Sequence, residues 1–327
     1  MPRLVLDHLY QLTLPTPFAV GPVNVYLATD DPITLIDTGP RDDPTRAALD
    51  AELNALGLTR AGIRRIIITH AHSDHYGLTA EIVRAASAPA EVLTHPYNHA
   101  AVQDYEHERV SRLLFYKRIM DESGVPPEEQ ARMANARRGV GKYAESVTID
   151  RDIVEGDPLT IAGRTWTALH MPGHAGGMLC LFDPDSRTLL SSDHLLRDIS
   201  SNPVVEPPVQ QDDPKPRRLV EYIRELQRAA DLHPSMAWGG HGEPIHDVRK
   251  LVRQRLHFHT RRAQRIIDMI GDGEMTAYQI AVPLFGKLGP IDSFLALSEV
   301  IGHLEWLEDQ HRLETEQRDG VIHWRWA

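Results

Sequence analysis

Cysteine is almost absent from the sequence, and long apolar runs are missing. Cys180 is the only cysteine among 327 residues, which excludes an intramolecular disulfide framework. Because residues 178–182 around it are apolar, we expect a buried, unreactive thiol rather than a nucleophile. No stretch approaches the roughly 18 apolar residues of a membrane span, and the N-terminal residues lack the apolar segment of a signal peptide. These features predict a protein of the reduced cytoplasm that does not bind membranes.

Positive charge is also in short supply. The chain carries 35 Lys and Arg against 46 Asp and Glu, a net charge of −11. This acidic balance argues against general binding to nucleic acids or to anionic membranes. Residues 249–265 are a local exception, with seven basic side chains and no acidic one. We interpret this segment as a solvated or interface face of a helix, with an RNA-binding track as the alternative.

Strand and helix patterns alternate through residues 1–96 and return between residues 148 and 247. This alternation predicts an α/β sandwich, with residues 1–247 as one domain. Residues 97–145 between the two parts are charged and helical in pattern. We interpret them as a helical insertion that acts as a lid near the active site. A surface excursion without a role is the alternative.

The pattern changes again after residue 247. Residues 248–270 predict a long helix, and two further helices and a hairpin follow, with Thr276 as a helix cap and a turn at Asp319 and Gly320. This is the order of a winged helix, so residues 248–327 are predicted to form a winged-helix-like domain. Residues 268–327 carry 11 acidic and 4 basic side chains. We therefore expect no binding to duplex DNA and favour a packing or dimerisation role.

Histidine, by contrast, is abundant, with 18 residues. Four candidate ligands lie within six residues, directly after the predicted β-branched strand 63–69: His70, His72, Asp74 and His75. Imidazole and carboxylate groups are ligands of zinc and related divalent ions, and a loop can direct such close neighbours toward two adjacent ions. Three more candidates follow later apolar strands: His174, Asp193 and His241. Because strand ends gather at one edge of an α/β sandwich, we expect the set to converge on one site.

These residues resemble the motifs of the metallo-β-lactamase superfamily. The family's His-x-His-x-Asp-His signature is matched by residues 70–75, and its early Asp-x-Gly motif by residues 37–39. The resemblance covers residues 5–247 and implies an αββα sandwich with two divalent metal ions at one edge. It implies the following ligands: His70, His72 and His174 for one ion, Asp74, His75 and His241 for the other, and Asp193 as the bridge. Asp37 is expected to support a ligand histidine, and zinc is the expected metal, with manganese or iron as alternatives.

The positions at which this chain departs from the family pattern indicate which branch of the family it resembles most. Asp193 stands where many true β-lactamases carry other ligands, so β-lactam hydrolysis is not expected. His72 is an imidazole where the di-iron, oxygen-reducing members have a carboxylate, and their flavodoxin domain is missing. The large extra domain of the nucleases that process RNA and DNA is missing too. The chain is thus most similar to the hydroxyacylglutathione-hydrolase-like and lactonase-like hydrolases, and its C-terminal part resembles the β-lactamase-like protein 2 group, which includes an endoribonuclease.

The resemblance implies a binuclear metal-dependent hydrolase. A hydroxide shared by the two ions would attack a small ester, thioester or lactone, with Asp74 as a catalytic residue that orients it. The alternative is a metal-dependent single-strand endoribonuclease, and either enzyme could be a homo-oligomer. His170 and His194 could contact substrate or merely pack. The insertion offers an apolar set that suits an acyl chain: Tyr105, Leu113, Leu114, Phe115 and Tyr116. It also offers a basic set that could hold a carboxylate or a phosphate: Arg132, Arg137, Arg138 and Lys142.

Overall fold

Two β-sheets form the centre of the molecule, for which a computed structural model describes residues 1–210 and 212–327. The first sheet has its strands in sequence order: β1 (Arg3–Leu6), β2 (Leu9–Leu14), β3 (Val23–Ala28), β4 (Thr34–Ile36), β5 (Arg65–Ile68), β6 (Glu91–Thr94) and β7 (Arg151–Asp152). Strands β1 to β4 pair antiparallel, whereas β4 to β7 pair parallel. Strand β5 is buried along its whole length, which explains the apolar run of residues 66–68.

The second sheet has the spatial order β12-β11-β10-β9-β8. Its strands are β8 (Pro158–Ile161), β9 (Arg164–His170), β10 (Leu179–Asp183), β11 (Thr188–Ser192) and β12 (Met236–Gly239). Only β12 runs parallel to its neighbour β11, and the other pairs are antiparallel. Cys180 on β10 is fully buried, and burial raises the pKa of its thiol, so the predicted inert cysteine is confirmed.

Helices cover the outer faces of both sheets. The first sheet is covered by α1 (Asp43–Ala55), α2 (Ser73–Tyr76) and α3 (Thr79–Ala85), and the second by α7 (Arg218–Asp231) and the beginning of α8 (Val248–Ile270). A third core, which includes Trp166 and Trp238, fills the space between the two sheets. Asp42 caps α1 by accepting a hydrogen bond from the Thr45 amide, as N-cap carboxylates do. The predicted αββα sandwich is confirmed.

The predicted insertion at 97–145 is helical. It contains α4 (His99–Gln103), α5 (Tyr105–Glu122) and α6 (Pro127–Val140). The C-terminal region continues from α8 with α9 (Ala277–Phe285), α10 (Pro290–Asp309), β13 (Leu313–Arg318) and β14 (Val321–Trp326). Thr276 caps α9 with a full capping box, as expected. Helix α10 begins four residues earlier than its apolar pattern indicates, with Pro290 in its first turn, where proline is well tolerated.

The insertion and the C-terminal region share one hydrophobic core. Tyr116 and Ile119 of α5 pack there with Ile267 of α8, Phe294 of α10 and Trp324 of β14. Helix α8 begins in the core under the second sheet and ends in this shared core. The domain boundary at residue 247 and the winged-helix interpretation of residues 248–327 therefore stay predictions, although the elements occur in the expected order.

No single helix of the described residues is long and apolar enough to cross a membrane. Helices α9 and α10 pass that test only when taken together, across a bend of 118°.

Candidate metal centre

The histidines and aspartates predicted as ligands meet at one edge of the sandwich, beyond the ends of β5, β11 and β12. His70 comes two residues after β5, Asp193 directly after β11 and His241 two residues after β12. Asp37, directly after β4, and Ser192, the last residue of β11, have positive φ values of 60° and 44°. Such strained backbone turns the chain sharply at these positions and is common at functional sites.

The first trio consists of His70, His72 and His174. His72 Nδ1 lies 3.0 Å from His70 Nε2 and 2.9 Å from His174 Nε2. His174 Nδ1–H donates to the backbone oxygen of Asn202 at 2.9 Å, which fixes the tautomer and leaves Nε2 with a lone pair. Three ring nitrogens therefore converge on one point, as in a site for a metal ion.

The second trio consists of Asp74, His75 and His241. His241 Nε2 lies 3.5 Å from Asp74 Oδ2. His75 Nδ1–H donates to Asp37 Oδ2 at 2.8 Å, and His241 Nδ1–H donates to the backbone oxygen of Pro22 at 2.8 Å. Asp37 is itself held by the amide and the hydroxyl of Thr69. These outer hydrogen bonds orient both imidazoles with Nε2 toward the cluster.

Asp193 lies between the two trios. One carboxylate oxygen, Oδ2, is 3.6 Å from both His174 Nε2 and His241 Nε2. The other oxygen, Oδ1, is 3.5 Å from His75 Nε2. Gly240 makes room for this arrangement, because a side chain there would place its Cβ 2.2 Å from Asp193 Oδ1. The carboxylate thus has the position expected of a shared ligand.

The residues fit divalent metal ions. Within the described residues, His75 Nε2, Asp193 Oδ1 and His241 Nε2 are buried and have no hydrogen-bond partner. Leaving a buried polar atom unpaired costs about 1–3 kcal/mol, so their convergence is unfavourable unless something bridges them. The ligand atoms within each trio lie within 4.8 Å of one another. Nitrogen-rich sets with a carboxylate suit zinc and related ions.

The electrostatics of His70, His72 and the two carboxylates agree with this chemistry. Burial opposes protonation of His75 and His241, but the neighbouring carboxylates outweigh it and raise the pKa of both imidazoles. Burial lowers the pKa of His70, and it lowers that of His72 to about 3, so both imidazoles carry free lone pairs at neutral pH. Burial opposes the ionisation of Asp74, but the neighbouring His75 and His241 outweigh it and hold the Asp74 pKa at about 2. The same competition keeps the pKa of Asp193 well below its ordinary value. Neutral imidazoles and ionised carboxylates are the forms that bind metals.

A cavity of about 560 Å³, the main cavity, opens onto the cluster. Five candidate ligands line it: His72, Asp74, His174, Asp193 and His241. The rest of the lining is largely apolar and comes mainly from four regions. These are residues 18–20, the insertion helices α5 and α6, the loop residues 196–204, and Ile291 and Leu295 of α10. The main cavity therefore joins the candidate metal site to an apolar volume large enough for a small organic molecule.

Only some of the insertion residues predicted to contact substrate line the main cavity. Tyr105, Leu113, Tyr116 and Arg137 line the main cavity. Leu114 is exposed, and Phe115 faces a second cavity on the other side of α5. Of the remaining basic residues, Arg132 and Arg138 bind neighbours on their own helix and Lys142 lies over the ring of Tyr143.

Neither His170 nor His194 lines the two cavities. His170 stacks on His95 with 3.9 Å between ring centroids, and its Nε2 lies 2.7 Å from the backbone oxygen of Gly176. His194 is fully buried and packs edge-on against Tyr222. For both residues, packing is the interpretation that these contacts favour.

Sequence reasoning did not single out Arg112 and Glu206. Arg112 Nη1 lies 3.2 Å from Glu206 Oε1 across the gap between the insertion and the sandwich. Arg218 also pairs with Glu206, at 3.1 Å, and the Gly176 amide donates to it. Burial opposes the ionisation of Glu206, but Arg218 and Arg112 hold its pKa at about 2. Nothing in the sequence around Glu206, a proline-rich stretch, signals this buried ion pair.

An αββα sandwich with two convergent His/Asp trios at its edge defines a class of metal-dependent hydrolases. The sequence model of the metallo-beta-lactamase superfamily matches residues 19–241. The chain belongs to this superfamily and is a hydrolase.

Three similar proteins show how far the likeness extends. The probable metallo-hydrolase YqjP of Bacillus subtilis strain 168 is 31% identical over 323 residues, which cover 98% of this chain and 99% of YqjP. An atrochrysone carboxyl ACP thioesterase of Passalora fulva is 22% identical over 84% of this chain and 66% of its own length. The crystal structure of a metallo-beta-lactamase family protein of Thermus thermophilus, TTHA1429, superposes with a TM-score of 0.84 at 26% identity, covering 99% of this chain and 100% of that one.

Proposed function

We propose that the chain hydrolyses esters or thioesters of apolar acyl groups, with lactones as a related substrate class. One observation carries this proposal: the largely apolar main cavity ends at five of the candidate ligands. Apolar walls stabilise a hydrocarbon chain by about 25 cal/mol per Å² of buried surface. The candidate ligands in this lining lie together, so a carbonyl beside them can be attacked.

Similar proteins support the thioester part of the proposal. The Passalora fulva relative is a thioesterase by name, and its similarity extends over most of this chain. YqjP, which is similar over nearly the whole chain, is named only as a probable metallo-hydrolase. The acyl group therefore has to be inferred from the cavity.

Two divalent ions, zinc first among the candidates, are proposed to occupy the site. His70, His72 and His174 would hold one ion, Asp74, His75 and His241 would hold the other, and Asp193 would join them. The equal 3.6 Å distances from Asp193 Oδ2 to His174 and His241 support this arrangement. Manganese and iron suit the same ligand types and stay alternatives.

The protein groups around this site position the reaction. Bound ions would polarise the substrate carbonyl and make water acidic enough to attack at neutral pH. Asp74, the proposed catalytic residue, is ionised and lines the main cavity, so it can accept a hydrogen bond from the attacking water and orient it. Asp37 keeps His75 in one tautomer. Water adds to the carbonyl carbon, the bond to sulfur or oxygen breaks, and the leaving group takes a proton.

The endoribonuclease alternative has less support. In the basic segment 249–265, Arg255 donates to the backbone oxygens of Leu196, Arg197 and Ile199, and Arg262 lies 3.3 Å from Glu299. These two guanidinium groups are engaged within the protein, which leaves fewer for phosphate contacts. We also propose that the winged-helix-like region serves in packing, since most of α10 is buried.

A substrate panel tests the proposal. The zinc-loaded and manganese-loaded enzymes are assayed with octanoyl esters, octanoyl thioesters, lactones and single-stranded RNA, and metal content is measured by elemental analysis. We expect close to two ions per chain and the fastest turnover on an ester or thioester. Cleavage of RNA without hydrolysis of any acyl substrate would establish the alternative instead. A protein that cannot be loaded with metal would refute the two-ion site.

A further inference from the structure

A second cavity, of about 460 Å³, lies beside the main cavity. The two share the same four lining residues: Ala71, His72, Glu108 and Arg112. His72 is the single candidate metal ligand in the lining of the second cavity. A molecule whose reacting carbon lies near His72 can therefore extend in two directions.

Helix α5 is the partition between the two cavities. Tyr105, Arg109, Leu113 and Tyr116 line the main cavity, at spacings that place them on one face of a helix. Ser111, Phe115 and Arg118 line the second cavity, and their spacing defines another face. Glu108 and Arg112, which line both, fall between these faces in the helical rotation. A single helix thus separates the two volumes along its length.

The chemistry of the two volumes differs. The second cavity is lined by three guanidinium groups and two carboxylates, those of Arg112, Arg118, Arg218, Glu108 and Glu206. Arg112 and Arg218 are bound by Glu108 and Glu206 at 2.8–3.2 Å. Arg118 has a loose pair with Glu122, at 3.9 Å, and its guanidinium lies over the ring of Phe115; its side chain is 61% exposed. This charge balance leaves one cation available to an anion from solvent.

We infer that α5 sorts the two halves of the substrate: the acyl chain occupies the main cavity, and an anionic leaving group occupies the second cavity near Arg118. This inference rests on the proposed ester or thioester hydrolysis. In that reaction, water adds its oxygen to the carbonyl carbon, the carbon–sulfur bond breaks, and the thiolate takes up a proton. The substrate class is then a thioester of an apolar acid with a thiol carrier that bears a negative group.

Two matched pairs of thioesters test the assignment. The first pair carries the same octanoyl group on mercaptoethanesulfonate or on mercaptoethanol, and reports the preference for an anionic leaving group. The second pair carries octanoyl or acetyl on mercaptoethanol, and reports the preference for a long acyl chain. For each enzyme, kcat/KM is measured on both pairs and expressed as two ratios.

Variants on α5 should change one ratio each. Arg118→Gln is expected to lower the anionic preference by about three- to tenfold, the size of one exposed charge interaction, and to leave the acyl preference unchanged. Leu113→Trp narrows the main cavity and should lower the acyl preference alone. Ser111→Trp fills the second cavity from an exposed position and should reduce the anionic preference without affecting the acyl ratio. Lys117→Gln, exposed on the same helix outside both cavities, should change neither ratio.

The outcomes separate this inference from the proposed function. If the wild-type enzyme hydrolyses none of the thioesters, the proposed function fails and the inference fails with it. If the wild type is active but Arg118→Gln and Ser111→Trp keep the wild-type anionic preference, only the assignment of the second cavity is wrong. Loss of the acyl preference in Ser111→Trp would likewise overturn it, because the two halves would then be reversed.

Discussion

The metal edge of the sandwich, where the candidate ligands meet, and the helical layer, which consists of α5, α6, the end of α8, α9 and α10, are built in different ways. At the edge, three of the imidazoles are fixed by directional contacts: His75 by Asp37, His174 by the Asn202 carbonyl and His241 by the Pro22 carbonyl. In the helical layer, α5 packs through apolar contacts on one side and lines two cavities on the others. Under the proposed function, the edge would determine which reaction can occur, whereas the layer would determine which molecule reaches it.

This difference predicts how substitutions will behave. A change at the metal edge removes a group that the chemistry requires, so it should lower turnover for every substrate. A change in the helical layer should instead alter the relative rates of different substrates. The predictions below are ordered from the largest expected effect to the smallest, and each tests one side of this contrast.

The largest effect is expected for Asp193→Ala. It removes the carboxylate that lies 3.5–3.6 Å from three of the histidines, and loss of such a ligand should lower kcat by about 10³-fold or more. Circular dichroism should show a native fold, because the hydrophobic cores do not depend on this side chain. Asp198→Ala removes an exposed carboxylate from the same loop and serves as the control. Near-native turnover in Asp193→Ala would contradict a reaction that depends on both ions.

The predictability of the two regions differs in the same way. The residues of the metal edge are short-range neighbours in sequence or follow apolar strands, so the 70–75 segment and the later loops could be found from the sequence. The supporting contacts could be anticipated for Asp37, which lies in a recognisable motif. They could not be anticipated for Asn202 and Pro22, because these residues contribute only backbone oxygens, which any residue has.

The surroundings of each face of α5 could not be predicted from the sequence, for a physical reason. A helix that packs on one face has a single apolar stripe, but α5 contacts a core and two cavities of different polarity. Its apolar residues are therefore spread around the helix. That is why Leu113, Leu114 and Phe115, adjacent in sequence, were predicted together and yet face the main cavity, solvent and the second cavity. The existence of the helix was predictable, whereas its faces were not.

A smaller effect is expected for Arg255→Gln. Its guanidinium holds the oxygens of Leu196, Arg197 and Ile199 at 2.8–3.0 Å, and Leu196 and Ile199 line the main cavity. Loss of these bonds should cost about 1–3 kcal/mol of stability and raise KM for acyl substrates more than it lowers kcat. Arg253→Gln, exposed on the same helix, should leave both unchanged. Equal KM values for the two variants would mean that the loop does not depend on α8.

Stability should also depend on pH through the helical layer. Burial lowers the pKa of His259 to about 3 and that of His303 to about 4, against about 6.5 in an unfolded chain. Below about pH 6.5 the unfolded state therefore binds more protons, so the unfolding free energy falls as pH falls, by up to about 1.4 kcal/mol per pH unit for each imidazole. Glu299, which lies beside both histidines and Arg262, has a pKa raised by burial from its ordinary value of 4.5. Above about pH 4.5 this carboxyl group therefore binds more protons in the folded state than in the unfolded state, and its contribution to the unfolding free energy rises as pH falls.

Urea unfolding between about pH 7.5 and 5 measures this slope, since the interval spans the unfolded-state pKa of histidine. The variant His303→Gln removes one buried imidazole and should show a shallower decline than the wild type, even if its stability is lower throughout. His257→Gln, at an exposed position on α8, should keep the wild-type slope. An unchanged slope in His303→Gln would show that this histidine does not take up a proton on unfolding.

The smallest expected effect is the absence of a response to duplex DNA. Residues 268–327 carry 11 acidic and 4 basic side chains, and α10 has no basic residue besides its histidine to neutralise phosphates. Mobility-shift assays with the full-length chain at low salt are the most sensitive conditions, because electrostatic binding is strongest there. A clear shift that weakens with added salt would contradict the prediction, and would assign a nucleic-acid role to the C-terminal region.

Helix α8 has a consequence for how the chain folds. Val248, Leu251 and Val252 at its start are buried under the second sheet, and Ile266 and Ile267 near its end are buried among the insertion and C-terminal helices. Because one continuous helix is part of both cores, the unfolding of one core disturbs the other. The sandwich and the helical layer should therefore unfold in one cooperative transition. A chain shortened at residue 247 would expose the apolar surface of the second sheet that α8 covers. We expect residues 1–247 alone to aggregate, although they contain all seven candidate ligands.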